Sequence, residues 1–86
     1  MPRISDFYGI VIAMYWNDHA PPHFHAIYGE FETRVVIETG EFLDEGFPAR
    51  ARRLVEEWVA LHTEELLRNW EKAREGTPLD KIDPLP

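Results

Sequence analysis

Between Pro48 and Gly76, Leu54, Val55, Trp58, Leu61, His62, Leu66, Trp70 and Ala73 recur every three or four positions. That spacing draws one largely apolar stripe down a helix and predicts a helix over Ala49–Glu75. Pro48 suits the first turn, where a missing N–H costs nothing. Gly76 and Pro78 end it. Such a helix is about 40 Å long at 1.5 Å per residue. The strands available to this chain reach only about 25 Å. The helix must therefore overshoot any sheet it covers. Either it bends near His62 and Thr63, with Thr63 capping a second helix that starts with Glu64 and Glu65, or it runs on and packs its second half elsewhere. The single helix is preferred, with Trp70 covered by Leu79, Ile82 and Leu85 of the tail or by another subunit.

The first half of the chain reads as strands. Residues 7–16 are apolar and rich in β-branched and aromatic side chains, which predicts a central strand with Gly9 as a bulge. Residues 23–28 form a second strand, Gly29 and Glu30 a tight turn, and residues 31–38 a third strand. On that strand Glu32, Arg34, Val36 and Glu38 alternate with Phe31, Thr33, Val35 and Ile37, so one face is mainly polar. Glu41, Phe42 and Leu43 suggest a short edge strand. The expectation is a single α+β domain over residues 1–86. A three- or four-stranded antiparallel meander (1–47, with a histidine loop at 17–25) packs on a long C-terminal helix (48–75) in β-β-β-(β)-α order. A proline-rich extended tail (76–86) follows.

Eighty-six residues without cysteine can bury only a modest core and have neither a disulfide nor a thiolate zinc site to help. Absent cysteine fits a reducing cytoplasm. The N-terminus carries no signal-peptide pattern, and no apolar run approaches the roughly 20 residues of a membrane span. A cytoplasmic protein without membrane contact is expected. The net charge of −7 is concentrated in residues 1–47, where eight acids face only Arg3 and Arg34. That sign argues against bulk electrostatic binding of RNA or DNA.

Three of the four histidines, His19, His23 and His25, lie within seven residues around Pro21 and Pro22. On an extended backbone His23 and His25 share a face. His19 is placed to fold back over the proline step, and Asp18, Glu30 or His62 to complete a ligand set. A divalent metal such as zinc is one reading, since neutral imidazoles ligate it and stiff prolines reduce the entropy cost of holding the loop. A ribonuclease-like centre is another. There the histidines act as general base and acid, Arg34, Arg50, Arg52 or Arg53 steadies a phosphate, and Tyr15 or Tyr28 assists. The third is plain packing, with imidazoles bonded to backbone or across the sheet. His62, alone on a helix face, reads as a satisfied core histidine.

Arg50, Arg52 and Arg53 stand near a helix N-terminus, where positive charge costs about 0.3–1 kcal/mol each. They are candidate contacts for a phosphate or an acidic partner. The favoured reading is a solvated face with Arg52–Glu56 and Arg53–Glu57 pairs. Trp16, Trp58 and Trp70 read as core, although Trp16 borders the histidine loop. No glycine-rich phosphate loop, nucleophile elbow or catalytic triad is present.

Several blocks together resemble the bacterial domain-of-unknown-function family 4160. They are Met1 to Ser5, Phe7 to Ile10, Asn17-Asp18-His19 with Pro21-Pro22-His23-Phe24-His25, Tyr28-Gly29-Glu30 and Ile37 to Glu41. Leu61-His62, Glu65-Leu66-Leu67, Asn69-Trp70 and Pro78-Leu79 fit as well. Ala20 departs from the polar residue expected there. Members resemble one half of compact two-gene modules that look like toxin–antitoxin pairs, often beside a second small domain of unknown function (family 2442). The resemblance implies a toxin-like subunit that binds a small partner protein or a second copy, and it assigns no reaction. Leu66, Leu67 and Trp70 are the expected interface. An acidic antitoxin or regulatory module without catalysis is the remaining alternative.

Overall fold

The computed structural model describes residues 2–86. Its four strands are β1 (Arg3–Phe7), β2 (Ile10–Ala13), β3 (His23–Tyr28) and β4 (Phe31–Val36). They form one antiparallel sheet in the order β1-β2-β3-β4, followed by helix α1 (Ala49–Glu75). The α+β class and the order of elements are as expected, but the fourth strand is a different one. Residues 7–16 do not run straight. The chain reverses at Tyr8 and Gly9, both at positive φ (50° and 81°). Two positive-φ residues are what a type I′ hairpin turn requires, and Gly9 takes its share without strain. Gly9 is thus a turn residue rather than a bulge, and Arg3–Phe7 becomes the extra strand. Residues 41–43 supply only an isolated bridge, Phe42 to Val35.

The sheet's two faces differ. Phe7, Ile12, Phe24, Ala26 and Val35 belong to the buried cluster that also holds Val55, Trp58 and Val59 of α1. Trp58 anchors it, with its ring 5.4 Å from Phe7 and 5.7 Å from Phe24. Its indole N–H donates to the carbonyl of Asp83 at 2.8 Å, so the tail lies over it.

Helix α1 is continuous but kinked. His62 has φ −128° and ψ 21°, outside the helical range. Its Nδ1 lies 2.6 Å from Glu65 Oε1 and its ring 5.4 Å from Trp58. Thr63 does not cap a second helix. Its hydroxyl donates back to the carbonyl of Val59 at 2.8 Å, serving an acceptor at the break. The bend reconciles the helix with a molecule whose longest axis is 33 Å. At its end Gly76 (φ 75°) is left-handed, and Thr77 N–H donates to Lys72 O at 3.0 Å, a Schellman closure.

The tail is a strap. Asn69 grips Asp80 by two 2.9 Å bonds, its amide donating to the carbonyl and accepting from the N–H. Ile82 is buried, and its N–H donates to Ile4 O at 2.8 Å. Leu66 and Trp70, expected at an interface, are buried within the chain, at 0% and 5% exposure. Leu67 is half-buried. The tail and β3 cover this part of the helix, so no second subunit is needed there.

Trp70→Ala should therefore act on folding: unfolding in urea is expected to show a loss of about 3–5 kcal/mol, and Ile82→Ala about 2–5 kcal/mol. Losses under about 1 kcal/mol, the range of exposed sites, would contradict this packing.

Candidate functional site

The second half of α1 is the platform for the loop between β2 and β3. Asn17, in the left-handed region at φ 58°, donates its N–H to Ala73 O at 3.4 Å. The indole of Trp16 donates to Thr77 O at 3.1 Å. The chain then passes Asp18 and a cis Ala20–Pro21 bond into β3. Prolines offer carbonyls and no N–H. Pro22 O accepts from Ile37 N–H at 3.0 Å, and Pro21 O lies 2.8 Å from Nδ1 of His23.

His23 and His25 share a face of β3, as their spacing predicts, with ring centroids 5.5 Å apart. His23 is buried, its ring 5.3 Å from that of Trp70. His25 is partly exposed, with Tyr15 edge-on at 4.4 Å. Both Nε2 atoms turn to one carboxylate oxygen, Asp18 Oδ2, at 3.0 Å from His23 and 3.4 Å from His25. The remaining nitrogen of His25, Nδ1, lies 3.1 Å from Glu32 Oε2. Asp18, His23 and His25 each direct one ligand-type atom into a common space, all within 4.8 Å of one another.

Burial would raise the Asp18 carboxyl. The N–H of His19 at 2.9 Å, together with the two imidazoles, outweighs it and holds that carboxyl below its usual range. Burial, then the charges of Glu32 and Asp18, push the Tyr15 phenol up, so it remains a neutral O–H at the cluster.

His19 is not the third member. Its backbone N–H serves Asp18, while its exposed side chain is outside the cluster, so Asp18 replaces it. Glu30 lies on the exposed β3–β4 turn, and His62 is held on the helix by Glu65. Tyr28 packs on Phe47, with ring centroids 6.4 Å apart. Arg50 lines a cavity with Tyr8 and Tyr28, at the opposite end of β3 from His23. Arg52 pairs with Glu56 at 3.3 Å and lies 4.7 Å from the centroid of the Phe42 ring. Arg50 and Arg52 thus lie away from the histidines. A larger cleft of 350 Å³, between Glu38 to Gly40 and the helix at Glu56, Val59 and Thr63, shares no residue with the cluster.

The cation beside the site is Arg34, directly opposite His25 in the β3–β4 register. Asp44 grips it by Nε at 3.1 Å and Nη2 at 3.0 Å. The hydrogen bonds from Arg34 hold the Asp44 carboxyl below its usual range. Glu32 escaped the sequence reading as a histidine partner, although the signal was there. The two-residue turn at Gly29 and Glu30 makes Glu32 the diagonal neighbour of His25.

Among the described residues, no helix is long and apolar enough to cross a membrane. No curated protein and no solved structure matches the chain. Family comparison matches residues 9–71, a span that includes the whole histidine loop and most of the helix, and on that match the chain belongs to the family described as Domain of unknown function (DUF4160).

Proposed function

We propose that this chain is a divalent-metal protein, with Asp18, His23 and His25 as ligands in a centre of the hydrolytic type. A count of hydrogens carries the reading. Pro21 O and Glu32 Oε2 can only accept, so Nδ1 of His23 and Nδ1 of His25 must donate to them. In a neutral imidazole the other nitrogen then bears a lone pair. Both Nε2 lone pairs face an ionised carboxylate oxygen, which also only accepts. Two neutral rings supply two hydrogens for four acceptor contacts. The deficit is two positive charges: two further ring protons would fill it as an ion pair, one divalent ion would fill it as a ligand set, and the convergence of both Nε2 atoms on one oxygen supports the single ion.

The spacing agrees. Ligands at 2.0–2.1 Å in tetrahedral array lie about 3.3–3.4 Å apart. The nitrogen-to-carboxylate distances here are 3.0 and 3.4 Å. The Pro21 carbonyl and Glu32 are the outer acceptors that orient metal-bound histidines and fix their tautomer. An imidazole and carboxylate set suits zinc. Structural zinc takes four protein ligands, whereas three leave a position for water, whose pKa a bound zinc lowers to about 7. A zinc ion held by Asp18, His23 and His25 would supply an activated water as nucleophile there, beside the edge of the Tyr15 ring. A metal-free ribonuclease-like pair is less well supported, because its working protons would sit on Nε2 atoms already directed at Asp18.

The toxin-like role with a partner protein is a separate proposal that rests on the family resemblance. A partner would cover exposed apolar side chains such as Trp16, Leu43 and Leu61.

Chelator-stripped protein titrated with zinc in a calorimeter should take up one equivalent, with affinity falling as pH drops because protons compete for both Nε2 atoms and for Asp18. Asp18→Asn separates a metal site from an ion pair. The amide removes the anionic ligand but can donate a hydrogen to a lone pair. Zinc affinity should fall by at least about 100-fold, while metal-free stability at neutral pH changes by less than about 1 kcal/mol. Absent zinc uptake, with Asp18→Asn destabilising the metal-free fold by about 3 kcal/mol, would make the cluster a structural ion pair instead.

A further inference from the structure

Resting on the metal reading, we propose that Arg34 makes this centre an oxyanion site, and that its ligand is the phosphoryl group of a small phosphate monoester. Arg34 and His25 are directly paired across β3 and β4 and so present their side chains on one face of the sheet. Arg34 is also preorganised. Asp44 accepts from its Nε–H, from one Nη2–H and from its backbone N–H. A guanidinium has five N–H donors, so the Nη1 amino group is left over, on a side chain 48% exposed. A guanidinium fixed along one edge and open along the other loses little entropy when it binds an oxyanion.

Charge explains why such a ligand would need the metal. Around the centre stand Asp18, Glu32 and Asp44 against Arg34. With neutral imidazoles that sum is −2, which repels an anion. A divalent ion brings it to zero and offers its open position to one oxygen. A tetrahedral phosphoryl group presents oxygens in several directions, so one reaches the metal while another meets the Arg34 fork. A carboxylate, with two oxygens in one plane, bridges less well. The chain's net charge of −7 disfavours a long polyanion, so a single terminal phosphate on a small molecule fits better than a nucleic-acid strand. Asp18 and His25 are partly exposed and Arg34 is half exposed, so a ligand would meet the site at its rim, which suits recognition of the phosphate rather than enclosure of the rest of the molecule.

The test uses the full chain loaded with cobalt(II), whose visible absorption reports its coordination. Inorganic phosphate and phenyl phosphate should both shift the bands of the cobalt protein, and acetate should need much higher concentration. Arg34→Gln should take up cobalt as the parent does but require at least about 10-fold more phosphate for half the shift, the worth of one charged hydrogen-bonding contact. Arg34→Lys, which keeps the charge and loses the fork, should fall between. Circular dichroism checks that the fold persists; Asp44 keeps the backbone N–H of residue 34 in both variants. Normal cobalt uptake with an unchanged phosphate response in both variants overturns the role of Arg34. Acetate acting as well as phosphate overturns the ligand class. Failure of the parent to bind cobalt overturns the metal centre itself, and is read before any phosphate is added.

Discussion

Helix α1 is longer than the sheet it covers, and the histidine site exists because of what the excess does. The first half, through Trp58, packs on the inner face of the sheet. At His62 the axis breaks, and the second half is carried to the end where β3 begins. There Trp70 meets the ring of His23, while Ala73 O and Thr77 O accept from Asn17 and Trp16 just before Asp18. A straight helix would have left that loop without a floor. A loop with neither disulfide nor second layer keeps one shape only if ordered neighbours bear the entropy cost. Here the helix end does so, and Asn69, one position before Trp70, is itself held by Asp80 of the tail.

The acidity of the first half of the chain acquires a local meaning in this arrangement. Asp18, Glu32 and Asp44 stand around two imidazoles and one guanidinium. The Pro21 carbonyl and Glu32 each face an Nδ1 atom, while Asp18 Oδ2 faces both Nε2 atoms, so every imidazole nitrogen of the pair meets an oxygen acceptor. The arrangement stores a demand for positive charge at one point. Under the proposed metal reading, the convergence of two Nε2 atoms on one oxygen and the outer acceptors at both Nδ1 atoms have one explanation.

Much of this was legible from the residues. Apolar periodicity with Pro48 and Gly76 as stops marked α1, and the prolines and Gly29 bounded β3 at His23–Tyr28. The first hairpin was not legible, because Tyr8 stands where an asparagine or aspartate usually announces a type I′ turn. The apolar residues on either side then read as one strand. The membership of the histidine site was half legible. Spacing two put His23 and His25 together, but His19 lies before the cis proline, where no periodicity applies, and its side chain lies outside the cluster. The tail, through Leu79, Ile82 and Leu85, was one of two readings for what covers Trp70, a second subunit being the other, and apolar periodicity alone does not choose between them. The tail's anchors are single residues, Ile82 and Asp80, and backbone bonds to Ile4 and Asn69.

The covering of the sheet's two edges ties these features together. An exposed edge offers unpaired backbone groups to any passing strand. On the β1 side, the tail answers with Ile82 N–H to Ile4 O and the ammonium of Lys81 to Arg3 O. On the β4 side, residues 41–44 do the same without forming a regular strand: Leu43 N–H donates to Arg34 O, Val36 N–H donates to Glu41 O, and Arg34 N–H reaches the Asp44 carboxylate. A regular fifth strand there would have paired backbone with backbone. The irregular segment puts a carboxylate in place of a carbonyl, and that carboxylate also clamps the guanidinium beside His25. The segment that covers the edge of β4 is thus the one that holds Arg34 in position, so the protection of the edge and the placement of the guanidinium share one residue, Asp44.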